Sequence, residues 1–213
     1  MCAKQVGTYG GKNNGRHDKR PEAPGPTGFT LGGYTDKMVV DENFAIIIPD
    51  AYPLEAAGPV MCAGITMYDP LTKLGAGPQT TVGIAGLGGL GVMGLKIAKA
   101  LGCTVTVISR NMAKEALARS AGADNYLALD NPAALEQAKG TLDIILNSIP
   151  IYHDYDVYTR LLSPKGKQVI LGLHKGIVGA MVAGKVTCGI SKVMGSGIGG
   201  IQATQAVIDL CAR

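Results

Sequence analysis

Tryptophan is absent from the 213 residues, phenylalanine occurs twice, and aromatic residues make up only 5%. Charged residues are also few, at 17%, against 46% hydrophobic residues. That balance excludes a chain disordered over most of its length, because enough apolar surface is present to build a core. The net charge of +4 is small and spread out, some of it in the front segment Lys12–Arg20. Composition therefore offers no basic face of the kind that follows nucleic acid. No apolar run reaches the length of a membrane span, and no signal peptide is visible at Met1. The five cysteines, Cys2, Cys62, Cys103, Cys188 and Cys211, form no CxxC pair. An odd, scattered set argues against a disulfide framework and fits reduced thiols in the cytosol. The expectation is a cytoplasmic protein with neither nucleic-acid nor membrane partners.

Glycine, by contrast, is abundant at 31 residues, and one stretch concentrates it. In Thr81–Lys99 a short apolar run, Val82-Gly83-Ile84-Ala85, leads into Gly86-Leu87-Gly88-Gly89-Leu90-Gly91. A helix-period pattern follows, with Leu90, Met93, Ile97 and Leu101 on one face and Lys96 and Lys99 off it. The order is strand, glycine turn, helix. The glycines divide the work, with a tight turn at Gly86, close backbone approach to a diphosphate at Gly88 and close helix–strand packing at Gly91. A pyrophosphate at the helix N-terminus would meet free N–H groups and the favourable end of the dipole. A second strand, Val105-Thr106-Val107-Ile108, arrives at βαβ distance and turns a weak motif into a dinucleotide-binding expectation.

The turn after that second strand bears on which dinucleotide. A site for NAD places Asp or Glu there to bind the ribose 2′-OH. This sequence has Ser109-Arg110-Asn111-Met112-Ala113-Lys114. A hydroxyl and two cations suit a 2′-phosphate, so NADP(H) is expected over NAD. Downstream, strands at Ala123–Leu127, Leu142–Leu146 and Lys167–Leu173 alternate with helices at Lys114–Ser120, Pro132–Lys139 and Tyr155–Leu162, and Ser163–Gly166 reads as a turn. This is the pattern of a doubly wound parallel α/β sheet with helices on both faces, a Rossmann arrangement. Ligands bind beyond the strand C-termini, where Gly86, Ser109, Ser148 and Gly172 fall.

The front of the chain is less regular. Lys4–Pro26 is polar and reads as a long loop, with His17, Lys19 and Arg20 facing solvent. Ala45-Ile46-Ile47-Ile48-Pro49 reads as a short strand ended by proline. Leu54–Tyr68 reads as a helix interrupted at Pro59. His153 and His174 read as partly exposed loop histidines, and Asp143 as a strand-start residue rather than a catalytic one.

Four motifs then stand in one order and spacing: Gly32-Gly33-Tyr34-Thr35-Asp36-Lys37, Ile48-Pro49-Asp50, Cys62-Ala63-Gly64-Ile65-Thr66-Met67-Tyr68-Asp69-Pro70-Leu71, and Gly86-Leu87-Gly88-Gly89-Leu90-Gly91. On these the chain resembles the zinc-type medium-chain alcohol dehydrogenases, in their cinnamyl alcohol dehydrogenase branch. The likeness runs from about Gly28 to the C-terminus and more loosely back to Cys2. It implies an oxidoreductase that moves hydride between NADPH and an aldehyde with zinc assistance, and a homodimer in the full-length family. It implies a remnant of the mostly-β GroES-like catalytic domain over residues 1–60 and an NADP-binding Rossmann domain over 61–213. Family members continue past the final helix, so the chain reads as a piece shortened at both ends.

The resemblance also assigns residues. Ser109 and Lys114 match the family's serine run and lysine for NADP, with Arg110 as a substitute. Thr66 is implied on the diphosphate or nicotinamide side. Ser148 matches a threonine that contacts the cofactor, and Gly172 a strand-end glycine beside the nicotinamide. Ser196 and Ile198 lie in Gly195-Ser196-Gly197-Ile198-Gly199, which matches a Gly-Ser-Phe-Ile-Gly stretch whose backbone holds the carboxamide. Gly197 replaces the phenylalanine and removes a packing group. The family's catalytic zinc is held by a Cys, a His in Gly-His-Glu and a later Cys before Ala-Gly, and only the last matches, at Cys62. Cys2 matches the last of four structural-zinc cysteines. One thiolate does not make a tetrahedral site. No catalytic set is complete, and Cys62 reads as a buried free thiol. The second expectation is an NADP(H)-binding module without turnover.

Overall fold

The computed structural model describes residues 36–37, 40–172 and 193–213. The chain divides into two compact units, Met1–Ala45 and Ile46–Arg213. In the first, the described residues hold a 3-10 turn, Glu42–Phe44, started by Asp41, whose carboxylate accepts from the Asn43 N–H at 2.9 Å. His17 and Cys2 lie outside the described residues, as does His174.

The second unit is built on a six-stranded sheet. Its strands are β1 (Thr81–Ala85), β2 (Thr104–Ser109), β3 (Asn125–Ala128), β4 (Leu142–Asn147), β5 (Leu162–Ile170) and β6 (Val193–Gly195). Their order is β3-β2-β1-β4-β5-β6, and every pairing is parallel. This is the doubly wound order, which reverses direction between β1 and β4. Parallel strands covered on both sides are apolar throughout, because neither face meets water. Val82 and Ile84 of β1 join Val105, Val107, Ile144, Leu146 and Val169 in one core, and Ala85, Ile108, Leu142 and Ile145 join a second on the other face. The expected α/β class holds.

The helices are α1 (Leu54–Pro59), α2 (Ile65–Lys73), α3 (Gly89–Ala100), α4 (Glu115–Ser120), α5 (Pro132–Gln137), α6 (Tyr155–Leu161) and α7 (Ile201–Cys211). The first core takes Ile65, Met67 and Leu71 of α2, Leu95, Ile97 and Ala98 of α3, and Val207 and Ile208 of α7. Tyr158 and Leu161 of α6 fill the second.

Four details depart from the sequence reading. The segment Ala45–Pro49 is no strand. The Ile47 N–H and carbonyl bond instead to the Gln205 side-chain amide at 2.8 and 2.9 Å, so one amide serves both groups that a neighbouring strand would have taken. Pro59 closes α1 without breaking the path: its φ of −57° and the following Val60 φ of −69° stay helical, and a π turn at Val60–Gly64 leads into α2. Ser163–Gly166 does not precede the strand but lies inside β5, where β4 advances from Leu142 to Ile144 while β5 advances from Leu162 to Lys167. The surplus residues bulge, as parallel strands of unequal length require. Finally, the buried stripe of α3 is Gly91, Gly94, Leu95, Ile97 and Ala98, whereas Leu90, Met93 and Leu101 are only partly covered. Periodicity of large apolar residues pointed one position away from the true face, because two glycines occupy that face.

Asp143 sits at the N-terminal end of the sheet and joins three segments. Its Oδ2 accepts from the Thr81 N–H at 3.0 Å and the Thr81 hydroxyl at 2.8 Å, and its Oδ1 from the Ser163 hydroxyl at 2.9 Å. Burial works against its charge, but the bonds from Thr81 and Ser163 prevail and hold the carboxyl below its ordinary value of 3.8. A lowered folded-state value means this stabilisation is complete above the ordinary value and is lost as pH falls through the folded one. Asp143→Asn is therefore expected to cost about 1–2 kcal/mol at pH 7 and to flatten the acid limb of stability below pH about 4. Urea unfolding across pH 2.5–7 reads both effects.

Candidate functional site

The site starts from how closely α3 approaches the end of β1. Gly86 turns the chain with φ +89°, a conformation that L side chains rarely adopt. Its N–H donates to the Ile108 carbonyl at 3.2 Å, which ties the turn to β2. A Cβ at Gly91 would run into the Gly86 carbonyl oxygen, and one at Gly94 would lie 3.0 Å from the Met67 sulfur. Gly91 lets the helix come closer than any side chain allows, and Gly94 packs tightly on the flexible Met67 side chain. Gly88, the N-cap of α3, is the opposite case: nothing lies within 4 Å of where its Cβ would be. The backbone there faces open space.

That space is a cleft of about 630 Å³ at the C-terminal ends of β1, β2 and β4. Gly86, Leu87, Gly88, Gly89 and Leu90 line one side. Ser109, Arg110, Asn111 and Lys114 line the second, and Ser148, Ile149, Pro150 and Ile151 the third. Gly91 stands behind the loop rather than in the cleft. The first amides of α3 have no intrahelical partner and no side-chain cap.

The side formed after β2 is held from behind. The Ser109 carbonyl accepts from Leu129 N–H at 2.8 Å and the Arg110 carbonyl from Asp130 N–H at 3.2 Å. Asn111 caps the following turn, accepting from the Ala113 N–H at 3.1 Å, and the Tyr126 hydroxyl donates to the Asn111 carbonyl at 2.7 Å. Lys114 Nζ reaches across to the Leu87 carbonyl at 2.9 Å. Arg110 is exposed and enters no ion pair among the described residues. The lining thus carries two cations and no carboxylate, a setting for an anion. Tyr158 lines the cleft as well; burial first, then Asp154 and Tyr155, push its phenol up to about 12. It keeps its proton across the neutral range.

Ser148, on the third side, donates through its hydroxyl to the Ala85 carbonyl at 3.2 Å. Four other expected residues stand apart from this lining. Thr66 sends its hydroxyl to the Cys62 carbonyl at 2.7 Å. Gly172 donates its N–H to the Asn147 carbonyl at 3.2 Å, and a Cβ there would strike the Ile149 carbonyl. Ser196 N–H lies 3.4 Å from the Ile170 carbonyl. Ile198 has φ +48° and is 45% exposed; a β-branched residue there holds strain of about 1–3 kcal/mol. Sequence reasoning passed over Ile149, Pro150 and Ile151. The signal was their place just beyond the C-terminal end of β4, at the reversal of strand order.

Cys62 corrects an expectation. It is exposed, on the π turn, and not a buried thiol. The buried thiols are elsewhere: Cys103 is buried and Cys211 half-buried, and burial pushes both up. The π turn rotates Cys62 outward while Val60 and Gly64 take the inward places. Among the described residues no group of three or more His, Cys, Asp or Glu could hold a metal ion. Cys62 therefore has no described co-ligands, and the residues described do not fit a zinc site.

A six-stranded parallel sheet in this order, with a glycine turn at its point of reversal, defines a Rossmann-type α/β domain. The sequence profile of the zinc-binding dehydrogenases matches residues 89–213. Over its whole length the chain is 39% identical to a probable cinnamyl alcohol dehydrogenase of Picea abies, covering 57% of that protein. It is 41% identical to NADP-dependent alcohol dehydrogenase C of Mycobacterium bovis over 86% of the chain and 53% of that protein. Among solved structures, CAD from Helicobacter pylori complexed with NADP(H) is 38% identical with a TM-score of 0.69, covering 84% of this chain and 50% of that one. The chain belongs to the zinc-binding dehydrogenase family. It spans about half the length of the curated relatives it matches.

The two glycines make a direct stability contrast. Gly91→Ala forces a Cβ onto the Gly86 carbonyl and is expected to cost about 2–3 kcal/mol. Gly88→Ala meets open space and is expected to cost less than about 1 kcal/mol. Chemical denaturation of both variants beside the parent checks this.

Proposed function

We propose that this chain binds NADP(H) as the cofactor-holding part of an alcohol dehydrogenase that interconverts aldehydes and alcohols. The observation that carries this is the cleft lining: a glycine-rich loop at the start of α3, open at Gly88, facing Ser109, Arg110 and Lys114 with no carboxylate among them. The diphosphate lies on the α3 amides, where the open face of Gly88 admits it. The ribose 2′-phosphate meets Ser109, Arg110 and Lys114, and Lys114 exchanges the Leu87 carbonyl for phosphate oxygen. Ser148 and the Ile149–Ile151 wall flank the nicotinamide half, with Thr66, Gly172, Ser196 and Ile198 assigned there by resemblance. Residues 61–213 form the cofactor domain and 1–60 belong to the catalytic one. The relatives support the reading, since their names include NADP-dependent and cinnamyl alcohol dehydrogenases. In such an enzyme hydride passes from NADPH to the carbonyl carbon while a proton reaches the oxygen. No zinc step is assigned to the described residues. The resemblance also motivates a homodimer working in the cytoplasm, which sedimentation and cell fractionation of the whole protein test.

Cofactor choice is the first test. NADPH is expected to bind roughly 10- to 100-fold more tightly than NADH, the value of one charge-assisted bond at about 1.5–3 kcal/mol. Arg110→Ala narrows the gap. Equal affinities for the two cofactors in fluorescence titration would refute the reading.

Turnover is the second. Cys62 without described co-ligands favours a chain that, by itself, holds cofactor without catalysis. The purified 213-residue chain is expected to retain no stoichiometric zinc and to leave NADPH absorbance unchanged with a panel of aldehydes. One zinc per chain with steady NADPH oxidation would sink that expectation.

A further inference from the structure

Asn147 is the last residue of β4 and is fully buried. Its neighbours dictate how its amide is turned. Ile149 N–H donates to Oδ1 at 3.2 Å, so the NH₂ end faces His153 Nε2 at 2.9 Å. That nitrogen must then accept, which places the ring proton on Nδ1, 2.7 Å from the Ile151 carbonyl. The three bonds run in one direction, and each requires the next. The Asn147 carbonyl adds bonds from Leu171 N–H at 2.8 Å and Gly172 N–H at 3.2 Å. The Asn147 side chain and the His153 ring thus tie the end of β4 to the loop that follows it, while the Asn147 main-chain carbonyl holds the exit of β5. That loop supplies Ser148, Ile149, Pro150 and Ile151, one wall of the cleft.

We infer that Asn147 and neutral His153 are positioning residues for the cofactor, holding this wall in its binding shape, and that a second proton on His153 releases it. The inference rests on the NADP(H) reading above. Protonation sets Nε2–H against the Asn147 NH₂, two donors with no acceptor between them. Rotating the amide cures that contact but turns NH₂ toward the Ile149 N–H. Either way the buried Asn147 amide loses a bond, and an unmet buried donor is costly. Among the described residues the titratable groups around the ring are Tyr155, 4.3 Å away centroid to centroid, Tyr158 at 5.5 Å, Asp154 and Asp156 at the start of α6, and Tyr152 on the loop. Of these residue types only histidine ordinarily changes charge between pH 5 and 8.

The experiment is NADP⁺ binding by calorimetry to the parent, His153→Gln and His153→Phe from pH 8 to pH 5, with circular dichroism to confirm folding at each pH. A glutamine accepts from Asn147 and donates to the Ile151 carbonyl, yet does not titrate. A phenylalanine keeps a ring and makes neither bond. At pH 8 the parent and the Gln variant are expected to bind alike, with the Phe variant roughly three- to tenfold weaker. Toward pH 5 the parent weakens relative to the Gln variant by about that factor. The 2′-phosphate titrates equally in all three and cancels from the ratio. A parent-to-Gln ratio that stays constant with pH overturns the inference, and decides the matter even where the Phe variant does not fold. A Phe variant that folds and binds like the parent at pH 8 overturns it too. A parent that binds no NADP⁺ at pH 8 overturns the cofactor reading itself and the inference with it.

Discussion

Everything at the site depends on a contact that has no side chain in it, the start of α3 lying against the turn that ends β1. The backbone of Gly91 sits where a Cβ would overlap the Gly86 carbonyl, while Gly94 leaves room for the flexible Met67 side chain. By propensity α3 is a poor helix, since each interior glycine costs about 1 kcal/mol relative to alanine. Its stability comes from the burial of Leu95, Ile97 and Ala98 against the sheet. The cost in propensity is accepted where it brings free amides to the rim of the cleft.

The sheet is tied at both ends of its central pair. At the N-terminal end Asp143 gathers Thr81 and Ser163. At the C-terminal end the Ser148 N–H donates to the Ala85 carbonyl at 3.1 Å, and its hydroxyl approaches the same carbonyl. Between those ties β1 and β4 pair residue for residue. The reversal of strand order leaves a crevice beyond them, and the loops after β1, β2 and β4 turn into it rather than over it. Charge is sorted by the same geometry. Arg110 and Lys114 stand at the cleft, whereas Asp124 and Lys99 pair at 2.8 Å on the far side of β2 and β3.

The metal half of the family's chemistry has a different standing. Cys62 lies on a π turn that carries it to the surface while Val60 of the same turn, Ala57 of α1 and Ile65 of α2 stay in the core. A π turn inserts one residue and so shifts the face of everything after it; such turns recur at functional sites. Here it detaches one thiol from the core without detaching the helix. A lone thiolate supplies one corner of a tetrahedron; the described residues thus form a cleft suited to an anion, but give Cys62 no co-ligands.

Local patterns made much of this legible. The strand, glycine turn and helix of Thr81–Lys99, the strands at Val105–Ile108 and Leu142–Leu146, and the cationic turn at Ser109–Lys114 were readable because spacing and composition within a dozen residues specify them. Asp143 was readable as a strand-start residue for the same reason. What only the tertiary structure decided involves partners far apart in sequence. Ile47 forms no strand because Gln205, 158 positions on, satisfies its backbone. The buried face of α3 is set by Gly86 and Met67, not by its own largest side chains. Ile149–Ile151 becomes a wall of the cleft through bonds among Asn147, His153 and the exit of β5. Periodicity reports which residues are apolar. Which atoms lie within 3 Å of one another depends on the rest of the chain.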